Sequence, residues 1–129
     1  MRKLKFIIER NKTGYAAYEK KEPIYTTGKT ILELQKNALE AAKLFFEDNK
    51  IKISLSHLEF EIDFKQFFEY YKIINSKHLA ARIGMNESLL SQYVRGKKEP
   101  SKKQVNRIVD GLHEIGKELL ELTLSLIHI

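Results

Sequence analysis

Apolar and polar residues alternate singly through the first part of the chain, then recur every three or four residues through the second. Leu4, Phe6 and Ile8 fall on one face and Lys3, Lys5, Ile7 and Glu9 on the other, the period of a strand covered mainly on one side. Asn11 to Gly14 is a turn, because Asn and Gly tolerate positive φ. Tyr15 to Lys20 returns as a second strand of a hairpin. Beyond Pro23, Ile24 to Gly28 forms a short third strand. Thr30 and Glu33 make a capping box at a helix start. Ile31, Leu34, Ala38, Ala41, Ala42 and Phe45 follow at helical spacing as its sheet-facing stripe. Leu32, Leu39 and Phe46 stand seven apart and widen the apolar stripe, a second row that either packs on the sheet as well or helps meet a partner. After a polar linker, Leu58, Phe60, Ile62 and Phe64 alternate with Glu59, Glu61 and Asp63 as a fourth strand. Residues 1–64 therefore read β-β-β-α-β.

From there the period is helical throughout. Phe64, Phe67, Phe68, Tyr71 and Ile74 share one helical face. Asn75 or Ser76 caps a second helix that Gly84 ends. Asn86 or Glu87 opens a third, ended by Gly96, and Pro100 and Ser101 introduce a fourth. The chain is thus α+β: a β-β-β-α-β domain over 1–64, then an all-α domain over 65–123.

Composition narrows the classes. The 129 residues are 43% hydrophobic, enough for a globular core. There is no cysteine, which excludes disulfides and thiolate metal sites. The opening is basic then apolar, but its apolar run, Phe6 to Ile8, is too short for a signal peptide. No stretch approaches the roughly 18 apolar residues of a membrane span. A cytoplasmic protein without membrane contact or cofactor is expected. The four histidines, His57, His78, His113 and His128, have no metal-ligand spacing, so no metal site is expected.

Charge is focused. Residues 76–107 carry eight Lys/Arg against Glu87 and Glu99, a net +6, while residues 108–129 carry a net −3. A concentrated basic segment is the footprint of a polyanion-binding patch. It coincides with two short helices joined by a glycine turn, the layout of a helix-turn-helix. Leu90 and Tyr93 can pack inward on Leu79 and Ile83. Glu87, Ser88, Ser91, Gln92 and Arg95 fill the outer face with hydrogen-bonding groups. Lys97 and Lys98 follow, where a loop reaches phosphates.

The stretch "LAARIGMNESLLSQYVRGKKEPS" resembles the helix-turn-helix of the XRE/Cro repressor family, with Leu79, Ala80, Gly84, Met85, Leu90, Ser91, Arg95, Gly96, Lys97, Pro100 and Ser101 in register. The resemblance implies operator double-stranded DNA as a partner. It places Glu87, Ser88 and Gln92 at base edges and Asn75, Ser76, Asn86, Lys97 and Lys98 at phosphates. Glu87 stands where Gln is common; it would accept from a cytosine N4. Leu89 is apolar for that face and would meet a thymine methyl.

The first part is similar to HicB antitoxins: Gly14, Tyr15 and Ala17 on a strand, Thr26, Gly28 and Thr30 at a helix entry, then Glu33, Asn37, Ala38, Glu40 and Ala41. The family's usual loop before the third strand is replaced by "EKKEPI". The resemblance implies a partial RNase H-like fold, neutralisation of a HicA-like mRNA-cleaving toxin, and repression of the protein's own operon. Leu32, Leu39 and Phe46 are the toxin-binding candidates. The alternative is a toxin-independent transcriptional regulator whose first domain senses a ligand or dimerises. A nuclease is the enzymatic rival, with Glu9 and Glu40 the best carboxylates for metal chemistry; no catalytic residue is expected. Val105, Ile108, Leu112, Ile115, Leu119 and Leu122 form a heptad-like seam, half for the domain core and half for a homodimer or higher assembly. Residues 124–129, "LSLIHI", read as a non-native tail. They are also the translation of CTG-TCT-CTT-ATA-CAC-ATC, a transposon-end adapter used in sequencing libraries. A genuine apolar end pairing as a strand is the other reading.

Overall fold

The computed structural model describes residues 2–127, with side chains through Thr123. The chain is α+β, with one four-stranded mixed sheet and five α-helices among the described residues. It divides into two compact units, Met1–Tyr71 and Lys72–Ile129.

In the first unit, β1 (Leu4–Asn11), β2 (Gly14–Glu19) and β3 (Tyr25–Gly28) form an antiparallel meander, and α1 (Ile31–Phe45) leads to β4 (Leu58–Ile62). The order is β3-β2-β1-β4, with β4 parallel to β1. The even residues Leu4, Phe6 and Ile8 meet Leu34, Ala38 and Ala42 of α1 in one core with Ala17, Ile24, Ile53 and Leu58. Phe6 and Phe60, cross-strand partners, stack at 5.7 Å between centroids. Thr30 caps α1 by accepting from the Glu33 N–H at 3.1 Å. Ile53, in the segment read as a polar linker, is buried.

Two glycines of this unit leave no room for a side chain. A Cβ on Gly14 (φ +150°) would lie 2.3 Å from the Gly28 carbonyl oxygen, and one on Gly28 would lie 2.5 Å from the Leu34 nitrogen. The missing Cβ at both positions lets the β2 start, the β3 end and the first turn of α1 meet backbone to backbone.

The end of β4 corrects the expected pattern. Phe64 belongs to α2 (Phe64–Tyr70), not to the strand, because Asp63 caps the helix by accepting from the Gln66 N–H at 3.1 Å. The boundary between units falls after Tyr71 rather than after residue 64, because α2 is fastened to β1. The Gln66 amide pairs with both the N–H and the carbonyl of Arg10, at 2.7 and 2.5 Å. The Arg10 guanidinium sits 4.8 Å from the Tyr15 ring centroid and 5.0 Å from that of Tyr70, and donates to the Tyr71 hydroxyl at 3.0 Å.

Glu19 is the only buried charged residue among those described. Its pairing with Phe6 turns it to the core face, where its carboxylate accepts from Arg2 and from the N–H groups of Lys21 and Glu22. Burial alone pushes its pKa up, but the bonds from Arg2, Lys21 and Glu22 outweigh this and carry it below the ordinary value. A depressed folded pKa gives stability that is present above the unfolded pKa of about 4.3 and is lost as pH falls through the folded pKa. Glu19→Gln will therefore lower the urea midpoint at pH 7, a loss of about 1–3 kcal/mol. The gap to wild type will narrow at about pH 3. A gap independent of pH contradicts this assignment.

The second unit consists of α3 (Ser76–Ile83), α4 (Glu87–Val94) and α5 (Lys102–Ile127). Leu79, Ala80, Met85, Leu90, Tyr93 and Ile108 are buried. Gly111 lets α5 cross α3 closely: a Cβ there would lie 2.3 Å from Ile83 Cγ2. Along the seam, Ile108 is fully buried, Val105, Leu112 and Ile115 are half-buried, and Leu119 and Leu122 are exposed. The backbone of α5 continues helically to Ile127. Of the expected tail 124–129, residues 128 and 129 and all its side chains lie outside the described residues.

Candidate nucleic-acid interface

Local chemistry sets α3 and α4. Asn75 caps α3 by accepting from the His78 N–H at 3.1 Å, and Asn86 caps α4 by accepting from the Leu89 N–H at 3.1 Å. Both helices end in the same way. Gly84 (φ +68°) lets the Met85 N–H reach the Ala80 carbonyl at 2.9 Å, and Gly96 (φ +72°) lets the Lys97 N–H reach the Gln92 carbonyl at 2.9 Å. The turn between the helices is three residues, Gly84 to Asn86, with Met85 buried as its anchor.

Burial of Leu90 and Tyr93 fixes the rotation of α4 and so decides what its other face offers. Glu87, Ser88 and Arg95 are exposed, and Leu89, Ser91 and Gln92 are half-buried. Asn86, Glu87, Ser88 and Ser91 line a shallow open depression at the start of α4. Lys97 and Lys98 are exposed just past its end. Asn75 and Ser76 stand at the start of α3 and Asn86 at the start of α4. The side-chain oxygens of Asn75 and Asn86 are spent on capping, which leaves the amide N–H groups as the donors of these side chains.

Arg107 was not singled out by the pattern of the sequence. Its guanidinium donates to the carbonyls of Ile83 and Gly84 at 3.0 and 2.9 Å and to Gln104 Oε1 at 3.0 Å. It thus ties α5 to the end of α3 and neutralises that helix's negative pole. Arg82 pairs with Glu118 farther along α5. These two arginines are spent within the unit, so the exposed lysines and Arg95 carry the outward field.

In the first unit the second apolar row divides. Leu32 is 78% exposed, whereas Leu39 and Phe46 pack against the core. Conversely, Ile31 and Phe45, expected to face the sheet, are exposed, and Phe45 stands edge-on to Phe46. Glu9 lies on the sheet face opposite to Leu4, Phe6 and Ile8, while Glu40 is exposed on α1, so sheet and helix separate the two carboxylates. No group of three metal-ligating side chains occurs among the described residues. No helix among them is long and apolar enough to cross a membrane. Compared with known proteins, the chain matches no family model and no curated protein.

Proposed function

We propose that this chain is an antitoxin that represses its own operon. The second unit is a helix-turn-helix that reads operator DNA, and the first is a partial RNase H-like domain that holds a HicA-like ribonuclease toxin. The observation that carries the reading is the outward row of α4, Glu87, Ser88, Ser91 and Gln92, presented by a helix whose opposite face is locked by Leu90 and Tyr93. A helix entering a major groove needs hydrogen-bonding groups on its outer face near its N-terminus and cations flanking it. Glu87, Ser88 and Gln92 are assigned to bases. Asn75, Ser76, Asn86, Lys97 and Lys98 are assigned to phosphates. The exposed end of α5, with Leu119, Leu120 and Leu122 each more than half exposed, supports pairing into a homodimer that reads a two-fold operator.

The toxin-binding half rests on the HicB-like arrangement of Gly14, Gly28, Thr30 and Asn37 and on exposed Leu32. A toxin-independent regulator is the second reading, favoured by the packing of Leu39 and Phe46 on the core, which leaves Leu32 the one largely exposed member of that row. Co-expression separates them. Where a neighbouring gene encodes a small basic protein, the full chain will restore growth to cells expressing it, and Gln92→Ala will restore it equally. No restoration with both proteins soluble contradicts the antitoxin reading.

A further inference from the structure

The sheet has two edges, and they differ. On β3 the register with β2 turns the backbone groups of Tyr25 and Thr27 outward, since the Glu19 N–H donates to the Ile24 carbonyl at 3.0 Å and bonding alternates from there. The outward carbonyl of Thr27 is taken by the Asn37 amide of α1 at 2.8 Å. A side chain thus covers the middle of that edge. On β4 the Asp63 N–H donates to the Ile8 carbonyl at 3.1 Å, so by the parallel register Glu59, Glu61 and Asp63 bond to β1. The N–H and carbonyl of Phe60 and the N–H of Ile62 face away from β1, and no protein partner for them occurs among the described residues.

The side chains of β4 say what this edge accepts. Glu59 and Glu61 project from the face opposite the core, partly exposed, and form surface ion pairs with Lys3 at 3.6 Å and Lys20 at 3.5 Å. Phe60 and Ile62 project on the other face, and Ile62 is 39% exposed. Two copies of β4 pairing about Phe60 would set Glu59 opposite Glu61 twice, which is unfavourable. A strand with cations at alternate positions and apolar residues between them would meet both faces correctly. We propose that the outer edge of β4 binds an extended segment of a basic partner protein, alternating Lys or Arg with apolar residues, as a fifth strand of the sheet. The proposal rests on the reading that the first unit holds a basic protein, and it names the surface that does so.

The probe is a blocked peptide of about eight residues alternating lysine and valine, titrated into the isotope-labelled full chain. Hydrogen exchange at the Phe60 and Ile62 amides will slow at saturation. Neither a peptide alternating glutamate and valine nor one with the same lysines and valines in separate blocks will do this. Ile62→Pro, which removes an outward N–H that an edge strand can spare, will weaken binding about tenfold or more with the fold retained. Should that variant not fold, Glu59→Lys with Glu61→Lys provides the test by shifting preference to the glutamate peptide. Unprotected amides, full affinity in Ile62→Pro, or an unchanged preference in the lysine variant overturn the proposal. So does concentration-dependent protection without peptide, which would mean two copies pair at this edge. In cells, Ile62→Pro will lose growth rescue; rescue retained by this variant overturns the edge assignment, whereas no rescue by wild type sinks the antitoxin reading itself.

Discussion

Alanine at Gly28 will cost the first unit about 3 kcal/mol or more and will lower its urea midpoint accordingly. A Cβ at this position would stand 2.5 Å from the Leu34 nitrogen and 2.7 Å from its Cα. Both obstacles are backbone in the first turn of α1, which Thr30 caps and fully buried Leu34 anchors, so neither can swing aside. Relief requires α1 to lift from the end of β3, and that opens the core around Leu34, Ala38 and Ala42. Gly116, with nothing within 4 Å of an added Cβ, is the matched control. Gly116→Ala will be neutral or slightly stabilising, because alanine is the better helix former. Equal midpoints for Gly28→Ala and wild type would mean that the close approach is not a feature of the folded chain.

The two kinds of contact proposed on the second unit give the other large effect. Lys97 and Lys98 are exposed beyond α4 and can meet phosphates. Removing both charges will weaken binding to every duplex alike and reduce the log–log salt slope by up to about 2 per monomer, at about 0.9 for each charge. Gln92 lies on the outward row and is assigned to a base edge. Gln92→Ala will cost about 1–3 kcal/mol on operator DNA, flatten the preference at one base pair per half-site, and leave the salt slope nearly intact. The separation is sharp because Gln92 is uncharged and the lysines cannot read sequence.

Features set by neighbouring residues were legible in the sequence. The β-β-β-α-β order, the cap at Thr30, the cap pairs Asn75/Ser76 and Asn86/Glu87, between which the fold selects the asparagines, and the glycine ends at Gly84 and Gly96 each depend on a few adjacent positions. Phe64 misled because it satisfies both periods; Asp63, a cap rather than a strand residue, breaks the tie. The division of Leu32 from Leu39 and Phe46, and the exposure of Phe45, depend on where the sheet stops beneath α1, which helical spacing does not record. Glu19, Arg10 and Arg107 find partners 17, 61 and 24 residues away, and only the fold brings those together. Glu19 left one trace, an acid at a position whose alternation demands an apolar residue. The outer row of α4 was legible from spacing because burial of Leu90 and Tyr93 leaves one rotation open to the helix.

Whether α4 reads DNA while the lysines after it hold the backbone is decided by one set of fluorescence-anisotropy titrations. Wild type, Gln92→Ala and the Lys97→Ala/Lys98→Ala variant are each titrated with the DNA upstream of the gene and with a scrambled duplex at several salt concentrations. Gln92→Ala will lose the difference between the two duplexes at an unchanged salt slope, and the lysine variant will keep the difference at a reduced slope. Wild-type binding of both duplexes by Gln92→Ala, with the slope unmoved in the lysine variant, would contradict that reading of α4.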